Sequence, residues 1–228
     1  MKRTISILTV FALLMALSFS SQAAVTKISN VNDATNYVLE QADVFTIRRV
    51  TLYESGRAAR GVYLIALGGS DYSLDESHIQ CLQNAVRSGC SLSNSYLTAV
   101  VAKACETIPK GSEIIMIGHS MGGMIAQQVA DDATMKADYT ISYVLTMGAP
   151  YIAHSSREGV LHRMADSADL VPYLSAASLL GQYATDLSVE SGGYATTITA
   201  HTLSYGQAAC WQQYDALGVK GGGSSISL

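Results

Sequence analysis

The residue of this chain best suited to covalent chemistry is Ser120, set in Gly118-His119-Ser120-Met121-Gly122. The spacing G-x-S-x-G is that of a nucleophile elbow: the serine occupies a strained turn, and the glycines let a strand and a helix backbone pass closely. A serine hydroxyl is a weak nucleophile near neutral pH. It needs a base to take its proton, usually a histidine oriented by a carboxylate. Three histidines lie downstream of Ser120: His154, His162 and His201. His154 follows the serine closely, in a polar stretch, and His162 falls inside an apolar run, where a structural role is expected. His201 comes after the acidic candidates, in a stretch read as a loop before a final helix, and is the expected base. Asp166, Asp169, Asp186 and Glu190 are the candidate acids. Asp169 is preferred because Leu170-Val171-Pro172 places it before a rigid segment, although an aspartate there also suits a helix cap; Asp166 is the runner-up. The order serine, acid, histidine is the one expected when a G-x-S-x-G serine stands on such a turn.

These residues need a scaffold, and the hydropathy pattern supplies one. Residues Phe45 to Tyr53 and Gly61 to Leu67 are rich in β-branched and aromatic types, with a break at Glu54-Ser55-Gly56, and predict two strands in a tight connection. From Ser95 to Ile108 the apolar positions Leu97, Val101, Ala104 and Ile108 recur every three to four residues, which predicts a helix stopped by Pro109-Lys110-Gly111. Glu113 to Ile117 is a short continuous apolar run of the kind found in a strand buried on both faces, and Met121 to Asp131 returns to helical spacing. Further strands are predicted from Ile141 to Met147 and from Gly159 to Met164. Strands alternating with helices imply a mostly parallel central sheet with helices on both faces, an α/β-hydrolase fold, with the chemistry at the carboxyl ends of the strands.

Met1-Lys2-Arg3, the apolar run from Ile5 to Phe19 and the small residues near Ala23 have the order of a secretory signal peptide spanning 1–23, shorter in its apolar part than a membrane span requires. Export after cleavage is therefore expected, to an extracellular or periplasmic location. Removing 23 of the 228 residues leaves 205, enough for one domain, and shifts the formal charge from −4 to −6 because the segment carries Lys2, Arg3 and no acid. An acidic balance argues against a nucleic-acid partner. The domain is expected to run over 24–217, with the glycine- and serine-rich 218–228 as a flexible tail. Scattered histidines and no C-x-x-C pair leave no recognisable metal site, and the serine chemistry calls for no cofactor. Four cysteines in an exported chain suggest two disulfides, and the pairing Cys81–Cys90 with Cys105–Cys210 is preferred of the three that four cysteines allow.

Four ordered landmarks carry a family likeness: Ile117-Gly118-His119-Ser120-Met121-Gly122-Gly123, Thr146-Met147-Gly148-Ala149-Pro150, Asp169-Leu170-Val171-Pro172, and His201 with Tyr205 nearby. Together they resemble the fungal-type triacylglycerol lipases, often called class 3, over about residues 61–206. The resemblance implies a Ser120, Asp169, His201 triad. It also implies an oxyanion loop at Leu67-Gly68-Gly69-Ser70, where the family typically carries arginine before Gly-Ser or Gly-Thr. The backbone N–H groups of Ser70 and Met121 would then face the developing negative charge. Residues 71–91 occupy the place of the family's lid; their apolar face at Ile79, Leu82 and Val86 suits either covering a site or packing on the core.

The expected activity is hydrolysis of carboxylic esters, with acylglycerols as substrates, transient contact with a lipid interface and a monomeric chain. Phospholipase, feruloyl or polysaccharide esterase and acyltransferase chemistry remain alternatives on the same residues, as does a secreted binding protein on a hydrolase scaffold.

Overall fold

A computed structural model describes residues 26–69, 94–152, 158–174 and 187–228. In chain order the elements are β1 (Lys27–Ile28), α1 (Val31–Glu40), β2 (Phe45–Tyr53), β3 (Arg60–Leu67), α2 (Ser95–Thr107), β4 (Glu113–His119), α3 (Met121–Val129), α4 (Ala133–Asp138), β5 (Thr140–Met147), β6 (Val160–Asp166) and β7 (Leu187–Glu190). A helical stretch follows. It is α-helical at Thr197–Thr199, widens to a π-turn at Ala200–Ser204 and returns to α-helix at Tyr205–Gln207; β8 (Ser225–Ser227) closes the series.

The strands form one sheet in the order β1-β8-β2-β3-β4-β5-β6-β7. From β3 to β7 all neighbours are parallel, whereas β2 pairs antiparallel with β3 and β8, and β8 with β1. This is the α/β-hydrolase fold expected from the alternation of elements. Successive residues of the central strands serve opposite faces. Ile114 and Met116 of β4 pack with α2 and α3, while Ile115 and Ile117 pack with α1, Tyr205 and Trp211. A strand buried on both sides must be apolar throughout, which is why Ile114 to Ile117 shows no alternation. Helix α3 is likewise buried along its whole length, from Met121 to Val129.

Two expectations are overturned. The end of the chain is no flexible tail: β8 lies within the sheet, and Ile226 is completely buried in the same cluster as Leu52 and Trp211. Composition missed this because the glycines serve a turn. Gly218 and Gly221 have φ of +85° and +67°, and the buried Asp215 carboxylate accepts from the backbone N–H groups of Leu217, Val219 and Ser224 at 2.9 to 3.0 Å. The Cys105–Cys210 disulfide is also absent. Cys105 is an exposed thiol on α2, which packs on one face of the sheet, whereas Cys210 packs against the cluster on the other face, so the sheet stands between them. Cys81 and Cys90 lie outside the described residues, as do 1–25, the oxyanion residue Ser70, the lid-like segment 71–91, His154 and Asp186.

Asp215 gathers three backbone donors, so Asp215→Ala leaves them without that acceptor, the Leu217 N–H in a buried position and those of Val219 and Ser224 in part-buried ones. Urea unfolding of this variant is expected to show a loss of about 2–4 kcal/mol, and a loss below about 0.5 kcal/mol would contradict this role.

Candidate active site

The preferred triad residues Ser120, Asp169 and His201 converge at the carboxyl edge of the parallel strands. β4 ends at His119, and Ser120 follows as the sharp turn into α3 with φ 54° and ψ −123°. Among the described residues it is the only non-glycine with positive φ. Such a backbone costs about 1–3 kcal/mol and persists only where its surroundings impose it. They do so here. The Ser120 N–H donates to Met147 O at the end of β5 at 2.8 Å, and the Ser120 carbonyl accepts from Gly123 and Met124 in the first turn of α3. The glycines allow the close passage: a Cβ on Gly118 would lie 2.5 Å from Gly122 O, and one on Gly122 would strike the carbonyls of Leu67 and Gly68.

His201 stands on the π-turn rather than in a loop before a helix. Thr196, Thr197, Thr199 and Thr202 are weak helix formers, so the pattern there carries little helical signal; Thr196 caps the stretch by accepting from Thr199 N–H. The His201 ring lies 2.9 Å from Ser120 Oγ through Nε2 and 2.9 Å from Asp169 Oδ2 through Nδ1. A carboxylate can only accept, so Nδ1 carries the proton and Nε2 is left bare toward the serine. The side chain of Asp169 is fully buried and that of His201 retains 16 % exposure.

A buried carboxylate must have its oxygens satisfied. Asp169 Oδ1 accepts from Val171 N–H at 2.9 Å, and Oδ2 accepts from the Tyr205 hydroxyl at 2.7 Å as well as from His201. Burial and the Asp169 charge push the Tyr205 phenol well above its ordinary range, so it stays a donor. The Tyr205 oxygen in turn accepts from Asp166 N–H at 3.0 Å. Asp166, the rival acid, is committed elsewhere: Oδ1 accepts from Ala168 N–H, and Oδ2 accepts from Gly192 N–H and Ser204 Oγ–H, the latter hydroxyl itself accepting from Trp211 Nε1. Glu190 binds the Tyr214 hydroxyl and Lys220. His162 donates through Nδ1 to Leu217 O, a structural bond that leaves it outside the site. Gly148, with φ +61°, makes room: a Cβ there would sit 3.0 Å from both Asp169 Oδ2 and His201 Nδ1.

Several contributors carried no recognisable motif. Asn32 and Asn36 of α1 donate to the carbonyls of Tyr205, Ala208 and Gly206, which anchors the far end of the His201-bearing stretch. Their spacing of four residues on one helix face was the available signal. His119 is only 5 % exposed, and its Nε2 lies 3.0 Å from the backbone oxygen of His201. Burial, reinforced by the charge His201 would carry, lowers its pKa from 6.5 to about 3.

At the negative end of the anticipated reaction, Met121 is the first residue of α3, where a helix N–H has no intrahelical partner and the dipole favours negative charge. The loop after β3 runs over Ser120: a Cβ on Gly69 would lie 3.1 Å from Ser120 Cβ. Met121 therefore borders the serine, while Ser70 lies outside the described residues. No group of histidine, cysteine, aspartate and glutamate suited to a metal occurs among the described residues, and no described helix is long and apolar enough to cross a membrane.

Sheet order, elbow and hydrogen-bonded chain define a scaffold of the α/β-hydrolase type. A family model, the PGAP1-like alpha/beta domain, matches residues 74–167, which include Ser120 and stop just before Asp169. Comparison with curated proteins and comparison with solved structures each gave no match.

Two measurements probe these contacts. Tyr205→Phe removes a donor from a buried carboxylate and an acceptor from Asp166 N–H, so a stability loss of about 1–3 kcal/mol is expected in chemical denaturation; unchanged stability would contradict the coupling. His119 gives a pH signature. Its folded pKa lies below the unfolded value, so the unfolded chain binds the proton first, and stability is full above about pH 6.5 and falls toward pH 3. Relative to His119→Gln, the wild-type chain should lose up to about 1.4 kcal/mol per pH unit on acidification through this window. Parallel stability curves for the two would show that His119 titrates normally.

Proposed function

We propose that this chain is an exported serine hydrolase that cleaves carboxylic esters through an acyl-enzyme, with Ser120 as nucleophile, His201 as general base and Asp169 as the carboxylate that orients it. The observation that carries this reading is the unbroken chain from Ser120 Oγ through the His201 ring to Asp169 Oδ2, with both contacts at 2.9 Å. Ser120 Oγ attacks the ester carbonyl while its proton passes to His201 Nε2. The tetrahedral intermediate collapses when the imidazolium gives that proton to the leaving alcohol, and a water activated by the same ring then releases the acid and restores the serine. Asp169 holds the ring in orientation and stabilises the imidazolium. The N–H of Met121 at the start of α3 donates to the oxyanion and contributes on the order of 3 kcal/mol to the transition state.

Acylglycerols are the proposed substrates. The landmarks shared with fungal-type lipases favour them, and the PGAP1-like match favours a hydrolase-type scaffold without fixing the acyl group. The basic start, apolar run and small residues over 1–23 support export.

A fluorophosphonate probe is expected to label the purified chain, and Ser120→Ala to abolish the labelling; a label that persists on another serine refutes the nucleophile. Asp169→Asn should lower kcat on p-nitrophenyl esters by roughly 10⁴-fold. A panel from acetate to palmitate, run beside emulsified triglyceride, tests the substrate: preference for long chains and the emulsion is expected, and activity confined to acetate would overturn the lipase assignment while leaving the esterase intact.

A further inference from the structure

His119 precedes the serine by one residue, and its side chain points at the backbone of the proposed base rather than at the reacting atoms. We propose that His119 is a positioning residue: its Nε2–H donates to the His201 carbonyl and fixes the π-turn so that the His201 ring stays between Ser120 and Asp169. The proposal rests on the reading of His201 as the base.

The geometry supports it in three ways. A carbonyl oxygen can only accept, so the 3.0 Å contact requires the proton on Nε2 of His119. A π-turn inserts one residue into the helical register and displaces carbonyls from their usual partners, and it is on that turn, at Ala200–Ser204, that His201 stands. A side-chain donor from β4 reaches one carbonyl of that turn, the oxygen of His201. Because His119 and Ser120 are adjacent on one rigid strand end, the element that places the nucleophile also places the base. Ser120 N–H is tied to Met147 O and His119 Nε2–H to His201 O, so neither reacting residue shifts alone. The rings of His119 and His201 lie 4.9 Å apart between centroids, and the Tyr205 ring lies 5.9 Å from that of His119, so the imidazole is walled in. Titratable groups facing it are His201, Tyr205 and Asp169. A positive His201 disfavours a second charge on His119, which keeps the donor in one protonation state while the base cycles between neutral and charged.

Glutamine carries an amide N–H₂ at nearly the reach of histidine Nε2, and methionine fills similar space without a donor. In steady-state hydrolysis of a soluble p-nitrophenyl ester, His119→Met is expected to lower kcat about 10- to 100-fold with KM held within about twofold, since small misplacement of a catalytic group has costs of this order. His119→Gln is expected to recover kcat to within about threefold of wild type. Equal losses in the two variants, or an unimpaired His119→Met, would overturn the proposal. A wild-type chain that neither takes the fluorophosphonate label nor hydrolyses any ester defeats the hydrolase reading and the proposal with it; an active wild type with equal losses defeats the proposal alone. If His119→Met does not fold, nitrogen-15 histidine NMR of the wild type decides: a neutral Nε2–H ring at His119 from about pH 8 to about pH 5 supports the assignment, and a charged or Nδ1–H ring overturns it.

Discussion

A carboxylate removed from water must be surrounded by donors, and the architecture around the site follows from meeting that demand at Asp169. With its side chain fully buried, Asp169 draws one donor from the turn after β6, one from the Tyr205 hydroxyl and one from His201. The last two come from the same short helical stretch, so satisfying the charge brings that stretch across the end of the sheet. Three donors satisfy both of its oxygens and leave it placed to hold the imidazole beside it. The elbow meets a separate, steric demand. Its positive φ is held by bonds to β5 and α3, while Gly118 gives room to the first turn of α3 and Gly122 to the end of β3.

The second buried acid, three residues earlier, shows how similar residues are given different work. Asp166 and Asp169 both follow β6, yet Asp166 spends its oxygens on Ala168, Gly192 and Ser204, locking the approach to the His201-bearing stretch, and only Asp169 reaches the ring. Tyr205 joins the two, accepting from the backbone of one and donating to the side chain of the other. The difference between the two carboxylates is which neighbours face them.

Much of this was legible in the chain because strong local patterns coincide with the elements that matter. Phe45 to Tyr53 is rich in strand formers and forms β2 over the same bounds, and the apolar run before Gly118 forms β4. The elbow, and the order in which Ser120, Asp169 and His201 occur, depend on residue type and succession, which a sequence carries directly. What stayed hidden depends on long-range partners. The helical state of His201 is imposed by packing and by Asn32, Asn36 and Asp169 against weak local propensity. The role of His119 needs the position of a carbonyl 82 residues away. The glycines and serines near the C-terminus read as a flexible tail because nothing local reveals that Asp215 gathers the N–H groups of Leu217, Val219 and Ser224. Cys105 and Cys210 share a residue type but not a face of the sheet, and spacing along the chain cannot report that.

The place of β8 bears on how the molecule comes to be. Lys27 pairs with Ser227 and Ile28 with Ile226, while the other edge of β8 pairs with β2, so the first and last described strands meet about 200 residues apart in sequence. Closing so large a loop carries an entropy cost that grows only slowly with length, but it cannot be met until β8 exists. While the chain is being made, β2 keeps an unpaired antiparallel edge and the pocket for Ile226 stands open. A chain without residues 225–227 therefore lacks the strand that joins β1 to β2, and the two edges that β8 would pair stand apart.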